Sequence, residues 1–338
     1  MNRNRPNLIA RVVSVPISLV RSVLFSVLLC AWTAGTAAYP ERPIKIVVPW
    51  PAGGTTDTVS RILAQRLTER LGTSVLVENR PGATGLIGAD AVARAAADGY
   101  TLLVASAETH SIGMGANRKA PYDPIADFIP IASFARNPFV LVGRANLSTK
   151  SARELVDFCR SNPGKLSYGS WGFGSTAQVA MEMFLGQAKI DVLHVPFQGT
   201  APAEAAIMGG QIDLLVLPVG RTAVLRKTGK IQVLGMMTAT RSHLMEDIPT
   251  LQNEGFERID VANWFGIMAP AKTPAAAVQR LVGEITSVVK TPEVQAQLRS
   301  AGVEALALSQ DEFRQFVSSE IVRWGGVIDR ANIRIEKQ

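Results

Sequence analysis

Two stretches decide the reading of this chain: Trp50-Pro-Ala-Gly-Gly-Thr-Thr-Asp57 and Gly169-Ser-Trp-Gly-Phe-Gly-Ser-Thr176. The first follows an apolar run over Pro43 to Trp50 and leads into a helical pattern carrying Val59, Ile62, Leu63, Leu67 and Leu71. The second follows a run near Leu166 to Gly169 and leads into a helix carrying Val179 and Met183. Each is thus a strand–loop–helix unit. Glycines let backbone N–H groups approach a ligand, and the next helix offers its positive N-terminal end. Loops at the carboxyl ends of strands are where open α/β sheets bind ligands. Two such loops predict a clamp for a small anion. The plainer reading, tight turns capped by Thr and Asp, stays open for each loop, with Asp57 as the N-cap of its helix. Neither loop ends in Gly-Lys-Ser/Thr, and Gly169, Gly172 and Gly174 lack the dinucleotide spacing.

Outward from these loops, β-type runs alternate with amphipathic helices, which predicts an α/β fold with mostly parallel sheets. Strands are expected near Ser74–Glu78, Thr101–Ala105, Asp191–Pro196, Gln211–Leu217, Ile231–Met236 and Trp264–Ala269, with a helix over about Leu86–Ala97. Ser151-Ala-Arg-Glu154 reads as a capping box. Thr273-Pro274 and Thr291-Pro292 each read as an N-cap followed by a proline at the first helical position. A last helix, capped by Ser309-Gln-Asp-Glu312, should run to about Asn332.

The N-terminus has the pattern of a secretory signal. Arg3, Arg5, Arg11 and Arg21 precede an apolar stretch from Val23 to Trp32, and the small residues Ala34 to Ala38 follow. Cleavage is expected after Ala38, which makes residues 1–38 a leader and the mature protein periplasmic. No Arg-Arg pair marks the twin-arginine route, and Leu29 before Cys30 does not suit a lipid anchor. The chain of 338 residues carries 35 Lys and Arg against 28 Asp and Glu, for a net charge of +7. Without the leader 31 basic side chains remain, and the net charge falls to +3. With no basic cluster, a nucleic-acid partner is not expected. Cys159 would remain alone, so no intrachain disulfide forms. Its spacing from Leu155 and Phe158 predicts a buried thiol.

The mature sequence resembles the substrate-binding proteins of tripartite tricarboxylate transporters, the Bug receptors. The resemblance rests on Tyr39-Pro-Glu-Arg-Pro-Ile-Lys45, the first glycine loop, Val77-Glu-Asn-Arg-Pro-Gly-Ala83, Pro121-Tyr-Asp-Pro124, His194-Val-Pro-Phe-Gln-Gly199 and Trp264-Phe-Gly-Ile-Met-Ala-Pro270. It implies a two-lobed type II periplasmic-binding-protein fold of two sheets flanked by helices, with interlobe crossings near Val142 and Ala262. The lobes are then residues 39–142 with 263–338, and 143–262. It also implies a monomeric receptor that passes a small carboxylated ligand to membrane permease subunits. By match, Ala52, Gly53, Gly54 and Thr55 hold the carboxylate, Gly174 and Ser175 answer from the other lobe, and Ser106, Gln198 and Gly199 face the cleft. The chain departs from the family pattern at Gln178, where histidine is common, at the bulky Trp171, and at Arg221. Arg221 could pair with a second carboxylate or stand as a solvated charge. Trp50, Trp171 and Trp264 supply aromatic surface that could stack a ring, with hinge packing as the alternative for Trp50 and Trp264.

Catalysis has no support in the motifs. His110, His194 and His243 are too far apart to pair as metal ligands. No Gly-x-Ser-x-Gly elbow occurs, and Ser287-Val-Val-Lys290 lies in a helix without its companion motifs. No cofactor, metal or catalytic residue is expected. Rival readings are a receptor feeding a sensor kinase, a hydrolase on the same fold, and an effector domain of a regulator.

Overall fold

The first apolar run forms β1 (Ile44–Val48), whose side chains are almost all buried. The computed structural model describes residues 39–113, 120–257 and 259–330. The leader assigned to 1–38 and the end expected for the last helix lie outside them. β1 is followed by α1 (Thr55–Leu71), β2 (Val75–Asn79), α2 (Leu86–Ala93), β3 (Thr101–Ser106) and a short helical turn at Glu108–Ile112. β4 is long, Phe128–Arg144. Then come α3 (Ala152–Ser161), β5 (Ser167–Ser170), α4 (Thr176–Ala188), β6 (Leu193–Pro196), α5 (Thr200–Met208), β7 (Leu214–Pro218), α6 (Val219–Arg226) and β8 (Ile231–Met236). The chain closes with β9 (Ala262–Pro270), α7 (Ala275–Val289), α8 (Pro292–Ser300), the short β10 (Glu304–Ala305) and α9 (Gln310–Arg330).

The strands follow one hydrogen-bonded path, β2-β1-β3-β9-β4-β7-β5-β6, with β8 and β10 pairing onto β4. β4 changes partners partway along. Phe128 to Pro138 pair with β9, and Phe139 to Arg144 pair with β7 and β8. Pairing is parallel only where strand and helix alternate, β1 with β2 and β3, and β5 with β6 and β7. Both long strands β4 and β9 run antiparallel to their partners. The sheets are therefore mixed, because a strand that carries the chain from one half to the other and returns lies against the local βαβ direction.

The local expectations hold at most helix ends. Ser151 accepts from the Glu154 amide, Thr291 from the Val294 amide with Pro292 next to it, and Ser309 exchanges bonds with Glu312. Thr273 differs. Its hydroxyl donates to the Pro270 carbonyl at 2.8 Å, and Pro274 takes the cap position because its extended ψ of 137° is not helical. Cys159 is buried in the core, as its spacing predicts. Among the described residues no helix is long and apolar enough to cross a membrane, and no group of metal-ligating side chains gathers.

Candidate functional site

The first loop turns from β1 into α1, with Gly54 as N-cap (φ −78°, ψ 172°) and no side chain capping it. Asp57 is not the N-cap but the third helical residue. Its carboxylate reaches back to accept the Gly53 amide at 2.9 Å. It also accepts from Asn79 at 2.9 Å and from Arg61 at 3.0 Å. Asn79, at the end of β2, donates to the Trp50 carbonyl as well and ties loop to sheet. Burial pushes the Asp57 carboxyl up, but the bonds from Arg61, Gly53 and Asn79 outweigh it and hold the group below its ordinary range. Asp57 thus shapes the loop from behind.

What remains in front is open. Ala52, Gly53 and Gly54 are exposed and Thr55 is half-buried. A side chain at Gly53 would meet nothing within 4 Å, and one at Gly54 only the Pro51 carbonyl at 3.7 Å. Among the described residues no acceptor takes the amides of Gly54 or Thr55. Two further donors close by are buried without a partner. They are the Ser106 hydroxyl at the end of β3 and the indole N–H of Trp50, whose ring lies beside Gly85 and so next to Thr109. Buried polar groups are nearly always hydrogen-bonded, so two orphaned donors at the ends of neighbouring strands are candidates for a ligand's acceptors.

The second loop is built the same way, but its amides at Gly172, Gly174, Ser175 and Thr176 all have acceptors within the protein. Gly174 donates its amide to the Gln178 side chain at 2.7 Å, Ser175 caps α4 by accepting from the Gln178 amide, and the Ser175 amide and hydroxyl both donate to the Gly172 carbonyl. Gly172 in turn donates to the Ser170 hydroxyl. The Thr176 amide and hydroxyl and the Trp171 indole donate to Glu108, which sequence reasoning missed. Glu108 is 5% exposed and also accepts from Asn263. Burial pushes its carboxyl above the ordinary range, against the bonds from Thr176, Trp171 and Asn263.

The remaining candidate residues fall in different settings. Trp171 stacks on Phe139 at 6.0 Å, at the point where β4 changes partners. Trp264 is 1% exposed and packs edge-on against Phe313 and Phe316. Gln198 is exposed, and Gly199 (φ +114°) caps α5 with nothing within 4 Å of an added side chain. Arg221 is held by the buried Glu204 carboxylate, with three contacts of 2.6–2.8 Å. Its guanidinium fork faces a protein carboxylate, which binds it bidentately. Surface cavities such as one of about 860 Å³ bounded by Met183, Gln187 and Arg330 touch neither glycine loop.

His194 lies 2.7 Å from the Ser170 hydroxyl, which invites a nucleophile reading. The network opposes it. Gln178 accepts the Gly174 amide on its oxygen, so its nitrogen donates to His194 Nδ1. The proton then sits on Nε2 and points at Ser170, whose own hydroxyl donates to the Gly172 carbonyl. Burial also lowers the His194 pKa to about 4. A general base needs a free acceptor nitrogen and a pKa near the working pH, and His194 has neither. The ring partners of His194 are thus the Ser170 hydroxyl and the Gln178 amide.

Mixed sheets joined through β4 and β9 fit the two-lobed fold of periplasmic solute-binding proteins. The chain belongs to the tripartite tricarboxylate transporter family of receptors, whose pattern it matches over residues 59–333. It is similar to the protein BugT of Bordetella pertussis, 32% identical over 90% of this chain and 95% of BugT. Among solved structures it is similar to the R. palustris protein Rpa4515 with adipate, with a TM-score of 0.80 and 32% identity over 88% of this chain and 99% of that one. It is also similar to MatC from Rhodopseudomonas palustris with bound malate, with a TM-score of 0.76 and 30% identity over 86% and 100% of the two chains.

Proposed function

We propose that this protein is a periplasmic receptor that holds a small carboxylated compound on its first glycine loop. It delivers that compound to the membrane subunits of a tripartite tricarboxylate transporter. One observation carries the reading: the amides of the exposed Gly54 and the half-buried Thr55 have no acceptor at the N-terminus of a 17-residue helix, and the Ser106 hydroxyl at the end of β3 is likewise unpartnered. Backbone N–H groups at a helix start, with the dipole behind them, favour a carboxylate. Adipate and malate in the two similar structures support the same ligand class. Trp50 lies on the side of the first loop, and Trp171, Gln198 and Gly199 lie toward the other half. Gly174 and Ser175 shape that far wall, since their donors are satisfied within the loop. Asp57, Arg221 and Trp264 support the scaffold rather than touch the ligand.

The receptor acts as a monomer, without cofactor or catalysis, and the saturated Ser170–His194–Gln178 network supports the last point. The lobes take residues 39–142 with 263–338, and 143–262. The change of partners at Pro138 and Phe139 favours drawing the first crossing a few residues earlier. Export follows from the leader at 1–38.

Native mass spectrometry of protein purified from the periplasm tests this reading. The expected result is a chain beginning near Tyr39 that releases a small carboxylic acid on activation. A released amine, sugar or nucleotide in stoichiometric amount would contradict it, as would retention of the leader.

A further inference from the structure

In this fold the two glycine loops are similar in sequence but differ in state, and at the start of α4 the difference is Glu108, which accepts from Thr176 and Trp171. The first loop presents free amides, whereas each donor traced in the second has an internal acceptor. The acceptor at the start of α4 is a carboxylate. Glu108 reaches it from the turn that follows β3, on the first half of the sheet path. One of its oxygens receives the Thr176 hydroxyl at 3.0 Å and the Trp171 indole at 3.4 Å, and the other receives Asn263 at 3.3 Å. Hydroxyl, amide and indole donors at a helix N-terminus are the groups that would receive a ligand's carboxylate.

We infer that Glu108 occupies the position for a second ligand carboxylate, and so makes this receptor selective for compounds with one carboxylate over matched dicarboxylates. The inference rests on the reading that the first loop holds the ligand's carboxylate. A far carboxylate would find the donors at Trp171 and Thr176 already taken. Its oxygens would also have to lie against the buried oxygens of Glu108, acceptor against acceptor. A ligand whose far end is apolar meets neither obstacle, and the indole of Trp171 offers it a surface. Glu108 is thus a specificity-determining residue, and its effect is exclusion rather than attraction.

Calorimetry with straight-chain monocarboxylates of three to eight carbons and the matching α,ω-dicarboxylates tests this on the wild type, Glu108→Ala and Glu108→Gln. The wild type should prefer the monocarboxylate of its best chain length by about tenfold or more. Glu108→Ala should shift the ratio toward the dicarboxylate by about tenfold or more, because it frees the donors of Thr176 and Trp171. Glu108→Gln should shift it in the same direction by less, since the amide oxygen still accepts from Thr176. An unchanged ratio in both variants, or a wild type that prefers the dicarboxylate, overturns the inference. A second readout needs no ligand at the first loop. The melting temperature of Glu108→Ala should show an extra saturable rise with sodium acetate, beyond any rise of the wild type that comes from the first loop, and none with sodium chloride at equal ionic strength. Absence of this rise in a natively folded variant also overturns the inference. If the wild type binds no carboxylate while acetate still stabilises Glu108→Ala, the first-loop reading fails and the role of Glu108 at the second loop stands.

Discussion

Gly54→Val should abolish tight ligand binding, lowering affinity by about a hundredfold or more, while the protein keeps its fold. The backbone at Gly54 (φ −78°, ψ 172°) suits any residue, and an added Cβ has as its nearest neighbour the Pro51 carbonyl at 3.7 Å. The branched side chain therefore enters open space without displacing protein, and that space is where a carboxylate would meet the amides of Gly54 and Thr55. Valine is a poor N-cap, but replacing glycine there should cost only on the order of 1 kcal/mol of stability. Gly53→Val is a weaker test because φ there is +83°, which strains any L-residue and distorts the loop directly. Calorimetry and a melting curve on Gly54→Val decide the matter together. Unchanged affinity with normal melting would reduce the first loop to a turn.

Trp264→Ala should cost about 3–5 kcal/mol of stability, with affinity unchanged in the protein that remains folded. The indole is 1% exposed, and it sits between Phe313 at 5.5 Å, Phe316 at 5.9 Å and the ring of His110 at 6.4 Å. Removing it opens a large cavity where β9 packs against α9, and the surrounding rings are held by their own contacts and cannot collapse fully. A drop of roughly ten degrees in the melting midpoint is expected. Trp264→Phe, which keeps an aromatic ring in the same slot, should lose far less. If affinity falls in both variants while the melting midpoint barely moves, Trp264 is a ligand contact and the packing account is wrong.

Trp264 also illustrates how much of this molecule was legible in the sequence. Its place at the start of a strand was evident, but a tryptophan at a strand crossing can face a cleft or a core, and only the partners decide. The order of strands and helices came through, because period-2 and period-3.6 patterns and the caps at Ser151, Thr291 and Ser309 are local signals. The mixed pairing did not, since nothing local in β4 states which way its neighbours run. At the site, the two glycine loops read alike because a loop's donors are visible in sequence and its acceptors are not. One signal was available. Asp57 and Gln178 each stand at the third position of their helix, where a side chain can reach back to the chain before the cap. That spacing marks Gly53 and Gly174 as amides with an internal partner. Glu108 gave a fainter sign, a carboxylate directly after the carboxyl end of β3, where sheets of this kind bind ligands. Its burial, and the donors that meet it from a segment more than sixty residues away, belong to tertiary structure alone.

The most direct test of the central claim is a crystal structure of the protein with the acid that native mass spectrometry identifies. A carboxylate oxygen should lie about 2.7–3.1 Å from the amide nitrogens of Gly54 and Thr55, within reach of the Ser106 hydroxyl, with Glu108 still bonded to Thr176. A ligand bound with its carboxylate away from Gly54 and Thr55 would contradict the account, as would a cationic group seated on those amides.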